Sequence, residues 1–235
     1  GLEGAVWRVE SATETPSLLM KLACSYRKVV VQSHVSGQGV GAFFLIWQRQ
    51  LLAEFMHRRL HEVPHTGGVS SFRESWFHLG IRDDALRKIR DFEWEGVAMM
   101  EYRWDPRSDQ FFLMEMNGRF WGSLHLALFA GVDFPRLLLD AFHGHPESGI
   151  RPVPQVIKCR YTFPKEVEYV WSRLKDGKLR SVSKLWSVFE FFLLAFDPRI
   201  YSDLLFPGDR KLYWKNLRAF VRGLFLSYHS RGLGS

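Results

Sequence analysis

The chain has 235 residues, of which 46% are hydrophobic and 15% aromatic, and its 32 basic and 25 acidic residues give a net charge of +7. That length supports one sizeable domain or two small ones, and that composition excludes a disordered chain. The longest apolar run, Phe189 to Phe196, is far shorter than the roughly 18–20 residues a membrane-spanning helix needs, so no such helix is expected.

From the start, the sequence predicts a loop and then a helix over about 15–25, with Thr13 or Thr15 as N-cap and Pro16 in the first turn. Three runs rich in β-branched and apolar residues follow, "KVVVQSHV", "GVGAFFLIW" and "LLAEFMHRR", and they read as an antiparallel meander. A helix is expected over about 82–92. Next, "GVAMMEYRW" and "FFLMEMN" flank "DPRSDQ", a turn signal that makes them a hairpin. Ser123 can cap a helix that Gly131 ends, and "DFPRLLLDAFHG" reads as a capped helix stopped by Gly144. Pro146, Pro152 and Pro154 mark a linker, which divides the chain into an α+β domain at 1–145 and a mainly helical region at 146–235. The second region holds sixteen basic and eight acidic residues, so the excess charge belongs to it. A basic helical tail can meet an anionic surface, but a solvated basic face explains it as well, and a nucleic-acid partner is not expected. Cys24 and Cys159 lack the spacing of a zinc or redox pair, and the first residues lack the pattern of a signal peptide; both point to a reduced, cytoplasmic protein.

The stretch "HEVPHTGG", His61 to Gly68, contains the H-E-x-x-H of zinc proteases. Those proteases need both His on one face of a helix, and Pro64 directly before the second His removes a backbone N–H there, while the residues upstream read as a strand. The protease reading is therefore rejected. A looser metal cluster of His57, His61 and His65 is the remaining metal reading of these histidines.

The richest stretch is "MEYRWDPRSDQFFLMEMNGRF", Met100 to Phe120. Alternation places Val97, Met99, Glu101 and Arg103 on one face of the first strand and Phe111, Leu113, Glu115 and Asn117 on one face of the second. Both strands are apolar on both sides, which predicts a central hairpin covered on each side, with the glutamates interrupting a buried surface. If paired residue numbers sum to 216, Glu101 lies opposite Glu115 with Asn117 two residues on; a slip of one residue would part them. Two carboxylates in a poorly solvated site call for a cation, and carboxylate and amide oxygens suit magnesium, with Arg119 nearby to grip a phosphate. The plainer alternative pairs Glu101 with Arg103 or Arg119 and leaves Asn117 and Gly118 as a turn.

The same stretch, continued by "WGS…AGVDFP", resembles the second half of an ATP-grasp domain, as in carbamoyl phosphate synthetases and biotin carboxylases. The resemblance implies that Glu101, Glu115 and Asn117 hold magnesium, for which manganese can substitute, against the phosphates of ATP, and that Arg119 is the catalytic, phosphate-facing arginine. It also makes "VVVQSHVSGQGVGAFFL" the adenine-contacting hinge and glycine turn, with Gln32, Ser33, His34 and Val35 touching nucleotide, and makes His65 of "HRRLHEVPHTGG" a nucleotide-facing residue. The likeness covers about 2–144. Ser33 stands where the family often has a ribose-binding Glu, and neither Lys21 nor Lys28 matches the family's phosphate-binding lysine, which belongs to strands expected upstream of Gly1.

The resemblance implies an ATP-dependent ligase acting on a small-molecule carboxylate and an amine or other nucleophile. Arg58 and Arg59 then hold substrate or phosphate, or serve the structure. The alternative is a truncated or non-catalytic nucleotide-binding remnant that needs a missing N-terminal half or a partner chain. A homo-oligomer and a peripheral membrane contact of the basic tail are the other partners open to it, and core packing explains the tail's pattern too.

Overall fold

The computed structural model describes residues 7, 9, 11–150, 156–206 and 208–232, with side chains as far as residue 223. The chain forms two compact units, residues 1–35 and 36–235.

In the first unit, α1 (Thr15–Ala23) matches the expected helix, with Pro16 in its first turn; the N-cap is Glu14, without a side-chain bond. The expected strand "KVVVQSHV" is absent: residues 28–35 are irregular, and Val30 and Val31 are exposed. β-branched residues favour an extended chain only where a neighbour takes up its backbone groups and covers its side chains, and among the described residues no strand pairs with this one.

The second unit is built on a sheet whose described strands are β1 (Gln38–Trp47), β2 (Gln50–Val63), β3 (Val69–Ser75), β4 (Gly96–Asp105), β5 (Gln110–Asn117), β6 (Lys158–Arg160) and β7 (Ile200–Ser202). Their order is β5-β4-β1-β2-β3-β6-β7. Neighbours are antiparallel except β6 and β7. A meander is present, but its third strand is β3, whose alternating polar residues hid it. β1 runs between β2 and β4 and is covered on both faces, which is why it reads as nearly continuous apolar sequence. Its turn into β2 puts Gln48 and Arg49 at φ 50° and 63°. The Glu95 carboxylate accepts both of their backbone N–H groups, at 2.8 and 2.9 Å, and so secures a turn that has no glycine.

Alternation along the strands divides the core into two layers. On one face Val40, Ala42, Phe44 and Met100 pack against Ile81, Ala85 and Ile89 of α2 (Leu79–Asp91). That helix starts three residues before the predicted position, because the His78 ring accepts from Ile81 N at 3.2 Å and caps it. On the other face Phe43, Leu45, Phe55 and Met99 pack with Trp121 and with residues of α3 (Leu124–Phe129) and α4 (Phe134–Phe142). Asp133 caps α4, and Gly131 and Gly144 end α3 and α4 at positive φ, as expected. Ser123 precedes α3 without capping it, since its hydroxyl meets His57 Nε2 at 3.0 Å.

The C-terminal region carries the expected helices, α5 (Val167–Lys175), α6 (Ser181–Phe196) and α7 (Arg210–Gly232), and also adds β6 and β7 to the sheet. Strands of three residues are too short to show a period in sequence. Pro152 and Pro154 of the expected linker lie outside the described residues. The class is α+β, as expected. Among the described residues no helix is long and apolar enough to cross a membrane.

Phe44 is fully buried between β1 and α2, whereas Phe142 at the end of α4 is largely exposed. Phe44→Ala is expected to cost about 3–5 kcal/mol by urea denaturation, and Phe142→Ala well under half of that.

Candidate functional site

The site begins with the β4–β5 hairpin. Near its turn Trp104 lies opposite Phe111 and Tyr102 opposite Leu113; the register then shifts by one, and Glu101 lies opposite Glu115 and Met99 opposite Asn117. The extra residue in β5 is Met114. This bulge corrects the sequence reading in one respect: Phe111 and Leu113 do not share a face with Glu115 and Asn117, but pack into the α2 layer. Without the bulge, the register set by the turn would part the two glutamates. With it, Phe111 and Leu113 serve one face and the oxygen-bearing side chains of Glu101, Glu115 and Asn117 share the other. Asn117 Nδ2 donates to Glu115 Oε1 at 2.7 Å.

A second correction concerns burial. β5 is an edge strand, so the hairpin is not covered on both sides: Glu101 is half-buried and Glu115 is exposed. The counter-charge for Glu101 comes from β2. Arg59, buried, places Nη2 2.5 Å from Glu101 Oε2 and Nη1 3.2 Å from Glu62 Oε1. Arg59 Nη1 also donates to Gly68 O at 2.8 Å, and Arg103 Nη1 donates to Glu62 Oε2 at 3.0 Å. Acid and base therefore alternate from Glu101 through Arg59 and Glu62 to Arg103. The plainer pairing of Glu101 with Arg103 or Arg119 is not the one observed.

Arg59 reaches β4 by crossing β1 where that strand has no side chain. A Cβ on Gly39 would stand 2.4 Å from Glu62 Oε1 and 2.8 Å from Arg59 Cδ, so only glycine fits there. The "TGG" of the loop after β2 closes over the same group, with the carbonyl of Gly68 on Arg59. Together these residues border a cleft of about 430 Å³, lined by Gln38, Gly39, Arg59, Glu62 and His65 and by Arg173 of α5.

His65 is thus in the cleft, held by α5: its ring meets Ser172 Oγ at 3.1 Å and Asp176 Oδ2 at 2.9 Å. The histidines do not converge on a metal. His57 faces Ser123, His61 stacks on Tyr169 and bonds Glu166, and His65 bonds α5. Arg119 is exposed and donates to Phe120 O at 3.1 Å. Gln32, Ser33, His34 and Val35 belong to the other unit. Arg58 is structural, bonding Glu74. Sequence reasoning missed the Arg59–Glu62–Arg103 chain and the contribution of α5. One signal was available: Gly37, Gly39 and Gly41 recur at period two, which bares one face of a strand.

The donors fit a hard divalent ion. Two carboxylates and an amide supply only oxygens, and Asn117, whose Nδ2 is committed to Glu115, offers Oδ1 to a cation. Among the described residues no group of three or more His, Cys, Asp or Glu could hold a metal; three protein oxygens would leave an ion several positions for water or phosphate.

No family model matches the chain, and no curated protein sequence does either. Solved structures do. An L-amino acid ligase from Bacillus licheniformis is 17% identical, with 56% of this chain and 37% of that one covered at a TM-score of 0.44. A biotin carboxylase from Campylobacter jejuni, in a β,γ-ATP complex, is 14% identical, covering 52% and 28% at 0.38. Pyruvate carboxylase from Rhizobium etli is 15% identical, covering 49% and 12% at 0.40. This chain spans well under half the length of each of these structures.

Two outcomes test the site's electrostatics. Arg59→Gln leaves Glu101 and Glu62 without their shared cation and is expected to cost about 3 kcal/mol in denaturant melts, while the exposed Arg49–Glu93 pair should be nearly silent when broken. Burial, with Arg73 and Arg59 beside it, holds the His57 imidazole well below its ordinary value, and burial lowers His125 likewise. Because the folded value lies below the unfolded one, the unfolded chain binds more protons between them. Stability is therefore complete above about pH 6.5 and falls as pH drops below it, by up to about 1.4 kcal/mol per pH unit for each such histidine. His57→Gln should flatten that slope in thermal melts between neutral and mildly acidic pH without abolishing it, since His125 remains.

Proposed function

We propose that this chain belongs to an ATP-dependent ligase of the ATP-grasp type, acting in the cytoplasm on a small carboxylate and an amine or other nucleophile. The observation that carries this reading is the bulged register that sets Glu101 opposite Glu115, with Asn117 next on the same face and bonded to Glu115. Three oxygen donors gathered on an edge hairpin beside a cleft rich in arginine suit a metal-bound polyphosphate.

Glu101, Glu115 and Asn117 would hold magnesium or manganese. When bound, that ion supplies neutralisation of the charge carried by the β- and γ-phosphates. The substrate carboxylate attacks the γ-phosphorus, its oxygen forming the new P–O bond as the bond to ADP breaks. The nucleophile then adds to the acyl carbon, and inorganic phosphate leaves. Arg119, exposed at the end of β5, is free to turn toward the transferred group. Arg59, fixed by Glu62 and Gly68, pairs with Glu101 and keeps it aimed, while Arg173 offers donors to an anion in the cleft. Side-chain nucleophiles are not required, so positioning and charge carry the reaction.

A second reading, a non-catalytic remnant, is favoured by one observation: Arg59 already neutralises Glu101, so a purely structural ion pair accounts for that carboxylate. Calorimetric titration of magnesium ATP separates the two. Saturable, magnesium-dependent binding that Glu115→Ala abolishes, in a variant with an unchanged melt, is the expected result; absence of binding to the parent chain favours the remnant.

A further inference from the structure

α6 is amphipathic in the wrong sense for a globular core. Its inward side is polar or committed to bonds: Ser187, 1% exposed, accepts from Arg173 Nε at 2.5 Å; Glu190 lies 3.7 Å from His61; and the carbonyl of Phe191 accepts from Arg160. Its outward side is apolar throughout. Val182, Leu185, Trp186, Phe189, Leu193 and Phe196 recur at three- and four-residue spacing and are all exposed, Val182 to 77% and Phe196 to 83%. On α5, Trp171 is exposed as well, with Lys175 Nζ 5.0 Å above its ring. A stripe of this length is not an ordinary feature of a soluble surface, where large contiguous apolar patches mark interaction sites.

The charge around it selects the occupant. From Arg173 to Lys184 the chain has five basic residues and a single acid, Asp176, which is bonded to His65. α7 has no acidic residue between Arg210 and Gly232, and exposes Lys211, Lys215, Arg218 and Arg222. α6 and α7 are joined through Phe163, whose ring meets both Phe191 and Phe220. Two copies meeting through the stripe would bring these cationic borders together, which like-charge repulsion opposes. A helix of sixteen residues, about 24 Å long, is too short to span a bilayer but suits one lying in its interface, with aromatic side chains at headgroup depth and basic residues on anionic lipid.

We propose that α6 is a membrane-docking helix that seats the protein peripherally on anionic lipid, through its apolar outer face and the basic residues that flank it. The inference does not depend on the ligase reading, since none of the stripe residues lines the cleft.

The test is co-sedimentation of the full chain with vesicles of phosphatidylcholine alone and of phosphatidylcholine with about one-third phosphatidylserine. The chain is expected to sediment with the anionic vesicles and at least about tenfold less with the neutral ones, and added salt should release it. Phe189→Glu with Leu193→Glu should weaken binding about tenfold or more, and Arg180→Glu with Lys184→Glu should remove most of the preference for anionic lipid. Unchanged thermal melts of both variants establish that the fold survives. Failure of the parent chain to bind anionic vesicles, or equal binding by the apolar-stripe variant, overturns the proposal. So does sedimentation velocity showing a dimer that the stripe variant converts to monomer, which would assign the face to a second copy.

Discussion

A charged site on the face of an apolar sheet needs its counter-charge delivered at the point where the core ends, and Arg59 delivers it. The guanidinium starts on β2, crosses β1 over a glycine and reaches β4, so three strands are tied together by one side chain. Removing a partner from such a pair costs far more than the pair itself contributes, because a carboxylate is left poorly solvated. Gly39 of β1, the position of Glu62 and the closing "TGG" loop all follow from that requirement. Each is explained by the space or the hydrogen bonds the guanidinium needs.

The same ends of the strands carry the rest of the site. α5 closes the cleft over β2 through Tyr169, Ser172 and Asp176, so the C-terminal region is part of the cleft wall as well as of the sheet. Buried pairs hold that region in place: Arg73 meets Asp203 at 2.6 Å, and Arg160 meets Glu166 at 3.0 Å. Cys159 donates to Asp203, and burial pushes its thiol well up, so it is an inert part of the packing. α6, anchored from inside by these polar contacts, is left with its apolar residues outside. Its orientation follows from where its few polar residues find partners.

Much of this was legible in the residues. The runs of β-branched and apolar residues in β1, β2 and β4, the Asp-Pro turn, and the glycines after α3 and α4 come from local sterics and burial, and local sequence carries both. "KVVVQSHV" shows the limit: its β-branched composition favours extension, but a strand exists only where a partner edge is available. β3 shows the converse, since "VSSFRES" has polar residues that are buried because Arg73 and Glu74 find partners from distant segments. The outward face of α6 was hidden for a related reason: a helical period reveals a stripe but not which side of it faces the protein.

By itself the sequence determined the α+β class, the positions of most elements and the identity of Glu101, Glu115 and Asn117 as oxygen donors on a hairpin. Only the tertiary structure decided that those donors meet. The turn sets one register and Met114, as a bulge, resets it, and the choice is made by which face gains a core for Phe111 and Leu113. It also decided which cation answers Glu101, because Arg59 is forty-two residues away along the chain, and what brings the two together is strand order, a property of the assembled sheet and not of any segment.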